Sequence, residues 1–240
     1  MNYELMKNYF KVVNDKVRIK PSIVLFILGI VAGLVAYFAE LYILIALAIL
    51  FIGLGILRIV LKVLKIKKAK AAIPTDEQYD NEIKKNLQNL QERAIQKLGV
   101  DFDEVNEIDP IGFDGFLYEG VNESKEGLDG KCRTNKYEAV RIFFSQNEVY
   151  CYKYTFNTLE NEHTEKTDVY FYKDVVSVST STDTYSYVNK YTNETKSYNY
   201  ECFRLTTAGG TYLTVSMWDS QNANRSISAM RALLREKKQN

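Results

Sequence analysis

Three features predict an α+β chain with helices first and strands second. Two uncharged apolar runs, residues 23–39 and 41–57, follow one another with only Glu40 between them. After Gly112, helical spacing gives way to alternation of β-branched and aromatic residues with polar ones over seven stretches. The C-terminal twenty residues return to a 3.6-residue apolar period. The expected architecture is an N-terminal two-helix transmembrane hairpin, a stalk helix, and a seven-stranded antiparallel barrel or sandwich closed by a C-terminal helix.

With 240 residues, 46% hydrophobic and 25% charged, the chain is neither a disordered tail nor a disulfide miniprotein. Its net charge of +1 conceals a division. Residues 1–70 hold eleven Lys/Arg against three Asp/Glu, a balance of +8, and residues 71–240 hold twenty against twenty-seven, a balance of −7.

In residues 1–20, Leu5, Met6, Tyr9, Phe10, Val13 and Val17 recur at three- and four-residue intervals, an amphipathic helix. It has two candidate resting places, an inner membrane surface and the protein's own cytoplasmic part. Residues 21–70 form the hairpin. At about 1.5 Å per residue each run reaches roughly 25 Å, the short end of what crosses a ~30 Å hydrocarbon core. A single helix through both runs would bury Glu40, so the turn is placed at residues 37–42, with Glu40 in water. The basic residues flank the outer ends, among them Arg58, Lys62, Lys65, Lys67 and Lys68, and none lies in the turn. The positive-inside bias then predicts a two-pass protein of a bacterial inner membrane with both termini cytoplasmic. A cleaved signal peptide fits less well, because residues 37–39 lack the small-x-small pattern. Gly29 and Gly33, with Ala32 and Ala36, form small-xxx-small pairs. They suit either close packing within the hairpin or an oligomer seam.

Residues 75–99 predict a stalk helix of about six turns, capped by Thr75 or Asp76, striped by Ile83, Leu87, Leu90, Ala94, Ile95 and Leu98, and ended by Gly99. Residues 100–130 are strongly acidic, without the spacing of a calcium loop, and read as a solvated linker leading into the first strand. The strands are expected at 113–118, 137–144, 148–156, 167–172, 175–180, 198–206 and 211–217. In the third, Tyr150, Tyr152, Tyr154 and Phe156 give one face a continuous ring surface. The final helix carries Ile227, Met230, Leu233 and Leu234 on one face.

Seven antiparallel strands closed by an amphipathic helix, the run from Tyr170 to Val178, and the ending from Ala229 to Arg235 resemble the bacterial pleckstrin-homology-like (PH-like) domains over residues 112–238. The resemblance is one of pattern. It implies a binding domain and transfers no catalytic or ligand residue.

The chemistry for an enzyme is sparse. His163 is the only histidine and sits in a polar stretch, and Cys132, Cys151 and Cys202 show no CxxC spacing. No phosphate-binding glycine motif or nucleophile elbow occurs, so no cofactor or metal is expected. The ten acids against one base in residues 101–129 argue against nucleic acid. Tyr185, Tyr187, Tyr191 and Tyr198, in a polar stretch between two strands, are candidate partner contacts, against the alternative of a plain strand connection. The reading that results is a non-enzymatic membrane protein whose β domain holds a protein partner or forms a homo-oligomer. Its rival is a two-helix effector whose β domain senses a small ligand, such as a nucleotide messenger, and whose hairpins then disrupt the bilayer.

Overall fold

The computed structural model describes residues 1–13, 20–38, 42–190 and 192–239. The chain divides into two units, Met1–Phe10 with Thr75–Asn240, and Lys11–Pro74.

The second unit is a pair of packed helices, α2 (Lys20–Phe38) and α3 (Tyr42–Ala71). Gly29 of α2 and Gly55 of α3 are buried, and Leu25, Phe26, Gly33, Ile52 and Ile59 are half-buried. The small residues thus lie where the two backbones approach. Among the described residues, no helix is long and apolar enough to cross a membrane. α3 turns basic from Arg58 onward, with Lys62, Lys65, Lys67, Lys68 and Lys70 in its C-terminal half. The transmembrane hairpin is therefore corrected to a helical pair. The two-pass inner-membrane placement and its orientation rested on that crossing and fall with it.

In the first unit, Asn2 caps α1 (Tyr3–Tyr9) by accepting from the Leu5 N–H. Met6 and Tyr9 are fully buried in the core of this unit, so α1 rests on the protein itself. Residues 75–99 form two helices rather than one stalk. Thr75 and Gln78 make a reciprocal capping box for α4 (Asp76–Asn86). The chain then breaks at Asn89, which adopts φ +61°, before α5 (Leu90–Leu98). Asn tolerates this left-handed backbone better than most residues. The break lets Ile83, Leu90, Ala94 and Ile95 all bury against one sheet.

That sheet is β1 (Ile111–Phe116), β4 (Lys136–Phe144), β5 (Glu148–Asn157) and β6 (His163–Phe171), hydrogen-bonded in that order and antiparallel throughout. A short ribbon, β2 (Ser124–Glu126) with β3 (Cys132–Thr134), interrupts it in sequence. A third sheet follows as a meander of β7 (Val175–Val188), β8 (Thr195–Thr207) and β9 (Tyr212–Met217), and then α6 (Ser220–Gln239).

The expected single barrel is thus corrected to three sheets, with no closed barrel among the described residues. β6 passes into β7 through a 3-10 turn at Tyr172–Asp174 without pairing to it. On the other side β1 meets β9 through isolated bonds: the Ser216 hydroxyl donates to the Phe116 carbonyl at 2.6 Å, and the Trp218 N–H to the Asp114 carbonyl at 2.8 Å. Gly115 permits this approach, since a Cβ there would stand 2.6 Å from the Ser216 carbonyl oxygen.

The central strands β4 and β5 are covered on both faces, and six of the nine β4 residues are apolar. Ala139, Phe143, Tyr152 and Tyr154 face α1, α4 and α5. Val140, Ile142, Phe144 and Cys151 face Phe203, Leu205 and Val215 of the meander and Ile227, Met230 and Leu234 of α6. The aromatic face of β5 is therefore covered by the helices read as a stalk. Arg93 of α5 lies 4.4 Å over the Tyr154 ring and donates to Glu165 at 2.9 Å, and Lys97 pairs with the same carboxylate at 3.1 Å.

Arg133 is the most enclosed charge of the first unit, 2% exposed. It forms two bidentate pairs. Its Nε and Nη2 donate to Asp80 of α4 at 2.8 Å each, and its Nη1 and Nη2 to Asp129 at 2.9 Å each. Next to it Asp76 accepts from the Tyr9 hydroxyl at 2.7 Å and from the Leu128 N–H at 2.7 Å. Lys125 lies 3.8 Å over the Tyr9 ring and donates to the Tyr9 carbonyl.

Two predictions follow from these pairs. Removing one partner of a buried ion pair leaves the others uncompensated, so Arg133→Met should lower unfolding free energy by ~3 kcal/mol or more. Arg133→Lys should lose less, because it keeps the charge but not the fork; urea midpoints at constant slope read both. The Arg93 hydrogen bond holds the Glu165 carboxyl at about 2, below its ordinary 4.5. A carboxylate depressed in the fold stabilises above its unfolded pKa, and that contribution is lost as pH falls from about 4.5 towards 2. Unfolding of Glu165→Gln should accordingly depend less on pH between 5 and 3 than that of the wild type.

Candidate functional site

The tyrosines singled out in sequence do not form a loop. β7 and β8 extend as one long hairpin in which Tyr185 stands opposite Tyr198 and Tyr187 opposite Lys196. Tyr191 lies outside the described residues. Tyr118 gathers the others: its ring centroid is 5.2 Å from that of Tyr185, 5.6 Å from Tyr198 and 4.2 Å from Tyr200. Its hydroxyl donates to the Cys132 carbonyl at 3.0 Å, and burial pushes that phenol's pKa far above the ordinary tyrosine value. Tyr187 is 7% exposed and donates to Glu126, which also pairs with Lys196 at 2.7 Å. Lys190 pairs with Glu123. The aromatic cluster and these ion pairs fasten the hairpin arm to the β2–β3 ribbon, so acidic residues read as a solvated linker are the ribbon's contacts to that arm.

The other singled-out residues fall in the helical pair. Gly29 is buried, Gly33 half-buried and Ala32 exposed; Arg58, Lys65, Lys67 and Lys68 are exposed and Lys62 is half-buried. Glu40 and the side chain of Ala36 lie outside what is described.

The thiols are enclosed. Cys132, Cys151 and Cys202 are free and buried, and desolvation pushes Cys132 and Cys202 up to about 12. At neutral pH they stay protonated, the unreactive form. His163 opens β6 at an exposed position. Among the described residues no group of three His, Cys, Asp or Glu could hold a metal ion.

A groove with recognition chemistry lies between β7 and α6. Its volume is about 370 Å³, and it is lined by Val176, Ser177, Val178, Arg231, Arg235 and Lys238, with Leu234 beneath. The three basic residues recur at four- and three-residue spacing along α6, which puts them on one face. β7 is the edge of its sheet, bonded to β8 alone. The Val178 carbonyl accepts from Arg231 Nε at 3.1 Å, so Val178 turns its backbone groups away from β8 and into the groove. Val176, 59% exposed, and Phe171, 51% exposed, flank the turn that leads into β7. Such a groove can take an extended chain: backbone partners along β7, apolar contact at Val176 and Leu234, and carboxylates at the cations. Sequence reasoning missed it because β7 was read only to residue 180 and α6 only as a plug. The available signal was the spacing of Arg231, Arg235 and Lys238.

A comparison with protein-family models finds no match, and neither does a comparison with curated proteins.

The Tyr118 cluster generates a prediction. Tyr118→Ala removes the ring on which three tyrosines converge, so amide exchange in residues 183–200 should accelerate at least tenfold. Protection in β4 and β5, which this ring does not hold, should change little.

Proposed function

We propose that the first unit is a non-catalytic binding module. It takes an extended, acidic segment of a protein partner as an added strand on β7, with the segment's carboxylates against Arg231, Arg235 and Lys238 of α6. The carrying observation is the coincidence of an unpaired strand edge with a basic groove beside it.

The composition of the edges supports this reading. β6, the outer strand of the four-stranded sheet, carries Glu165, Lys166 and Asp168, charges of the kind that discourage another strand from pairing. β7 is fourteen residues long, rich in Ser, Thr and Val, with Asp183 as its one charged residue. A long, nearly uncharged edge invites pairing, and in strand addition the main chain supplies affinity while flanking side chains select the sequence. The PH-like resemblance belongs to the same proposal, in open form. A four-stranded and a three-stranded antiparallel sheet with a helix after the last strand support it.

The test is binding of a fluorescein-labelled octapeptide of alternating Val and Glu, followed by anisotropy. Binding is expected to weaken as salt rises. Arg231→Ala with Arg235→Ala and Lys238→Ala should weaken it at least tenfold. Val178→Pro removes an edge N–H without touching the β8 ladder, and should abolish binding while circular dichroism stays unchanged. Equal affinity for wild type and both variants would sink the reading.

A further inference from the structure

The helical pair of residues 20–71 presents a surface that water does not suit. On α2, Val24, Leu28, Leu34 and Val35 are each at least 54% exposed, and on α3, Ile49, Leu50, Leu57 and Leu64 at least 53%. Monomeric soluble proteins rarely expose contiguous apolar patches of more than a few hundred Å², and larger ones mark an interface. What covers this one is indicated by charge. Neither helix contains an acid, and past residue 57 the apolar stretch of α3 passes into exposed Arg58, Lys65, Lys67 and Lys68.

We infer that this unit docks on an anionic lipid surface, its apolar side chains entering the acyl boundary and the four cations meeting the headgroups. Two features favour lipid over a second copy of the chain. A second copy would bring a like-charged row to the same place, where like charges repel. The long stems of Lys65, Lys67 and Lys68 can also lie along apolar surface while their ammonium groups reach the phosphates. A juxtamembrane basic cluster of this kind adds attraction for each residue near an anionic surface, and that attraction fades with salt. This differs from crossing: the inference concerns docking on a surface and assigns no passage through it. It is also independent of the β7 groove, which lies in the other unit.

The experiment is flotation of the full chain with vesicles of phosphatidylcholine alone or of equal parts phosphatidylglycerol and phosphatidylcholine. The expected result is at least tenfold tighter association with the anionic vesicles, lost on replacing Arg58, Lys65, Lys67 and Lys68 by Glu. Leu54→Gln with Leu61→Gln should reduce association at unchanged net charge, which separates apolar entry from adsorption. Helix content by circular dichroism reports that each variant is folded. Equal flotation with both vesicle types would overturn the inference. So would a failure to float by a chain that sediments as a homo-oligomer of fixed stoichiometry, since a second copy would then cover the helices.

Discussion

The Arg133 guanidinium, enclosed and doubly forked, is the constraint on which the first unit depends. A guanidinium taken out of water is tolerable only if its donors are met, and Asp80 and Asp129 meet them with four bonds of 2.8 to 2.9 Å. These two acids come from different places, α4 and the β2–β3 turn, so satisfying one side chain fixes the helix layer against the ribbon. Gly127 is required there, because a Cβ would stand 2.7 Å from the Asp129 carboxylate and 2.8 Å from that of Asp76. Asp76 then reaches Tyr9, whose ring stacks on Tyr79 with centroids 4.2 Å apart. The N-terminal decapeptide is thereby held on a body from which residues 11–74 separate it in sequence.

The four-stranded sheet explains both what was legible and what was not. Its central strands announced themselves because burial on two faces selects apolar residues at most positions of β4 and aromatic ones along β5. Short turns join β4 to β5 and β5 to β6. The ribbon β2–β3 could not be read, because its residues are polar and three long, and their contacts are ion pairs with distant Lys190 and Lys196. Likewise the stripe from Ile83 to Leu98 correctly demanded a partner, but periodicity does not say whether that partner is a sheet or another helix. The kink at Asn89 answers to the shape of the sheet. The apolar runs of the first seventy residues were legible as helices; their length as crossing segments was not upheld among the described residues.

For the candidate site the sequence misdirected. Tyrosine composition drew attention to residues 185–198, yet Tyr118, fourteen residues before its ribbon partner Cys132, turns that cluster inward. A side chain's amphipathic character does not reveal which face of a hairpin it occupies. The groove depends instead on which strand edge is left unpaired, a property of topology.

The groove and the buried guanidinium are joined through α6. Trp218, two residues before the helix, packs edge-on to Phe116 at 4.9 Å and lies under Lys131 at 4.4 Å and Arg133 at 5.1 Å. At the far end Lys237 pairs with Glu107 at 3.0 Å. Between these anchors Ile227, Met230 and Leu234 are buried on the sheets, which leaves Arg231, Arg235 and Lys238 turned to the groove. The basic face of α6 is therefore held beside β7 by contacts at both ends of the helix. The ion pairs that lock the helix layer thus also set the position of α6 beside β7.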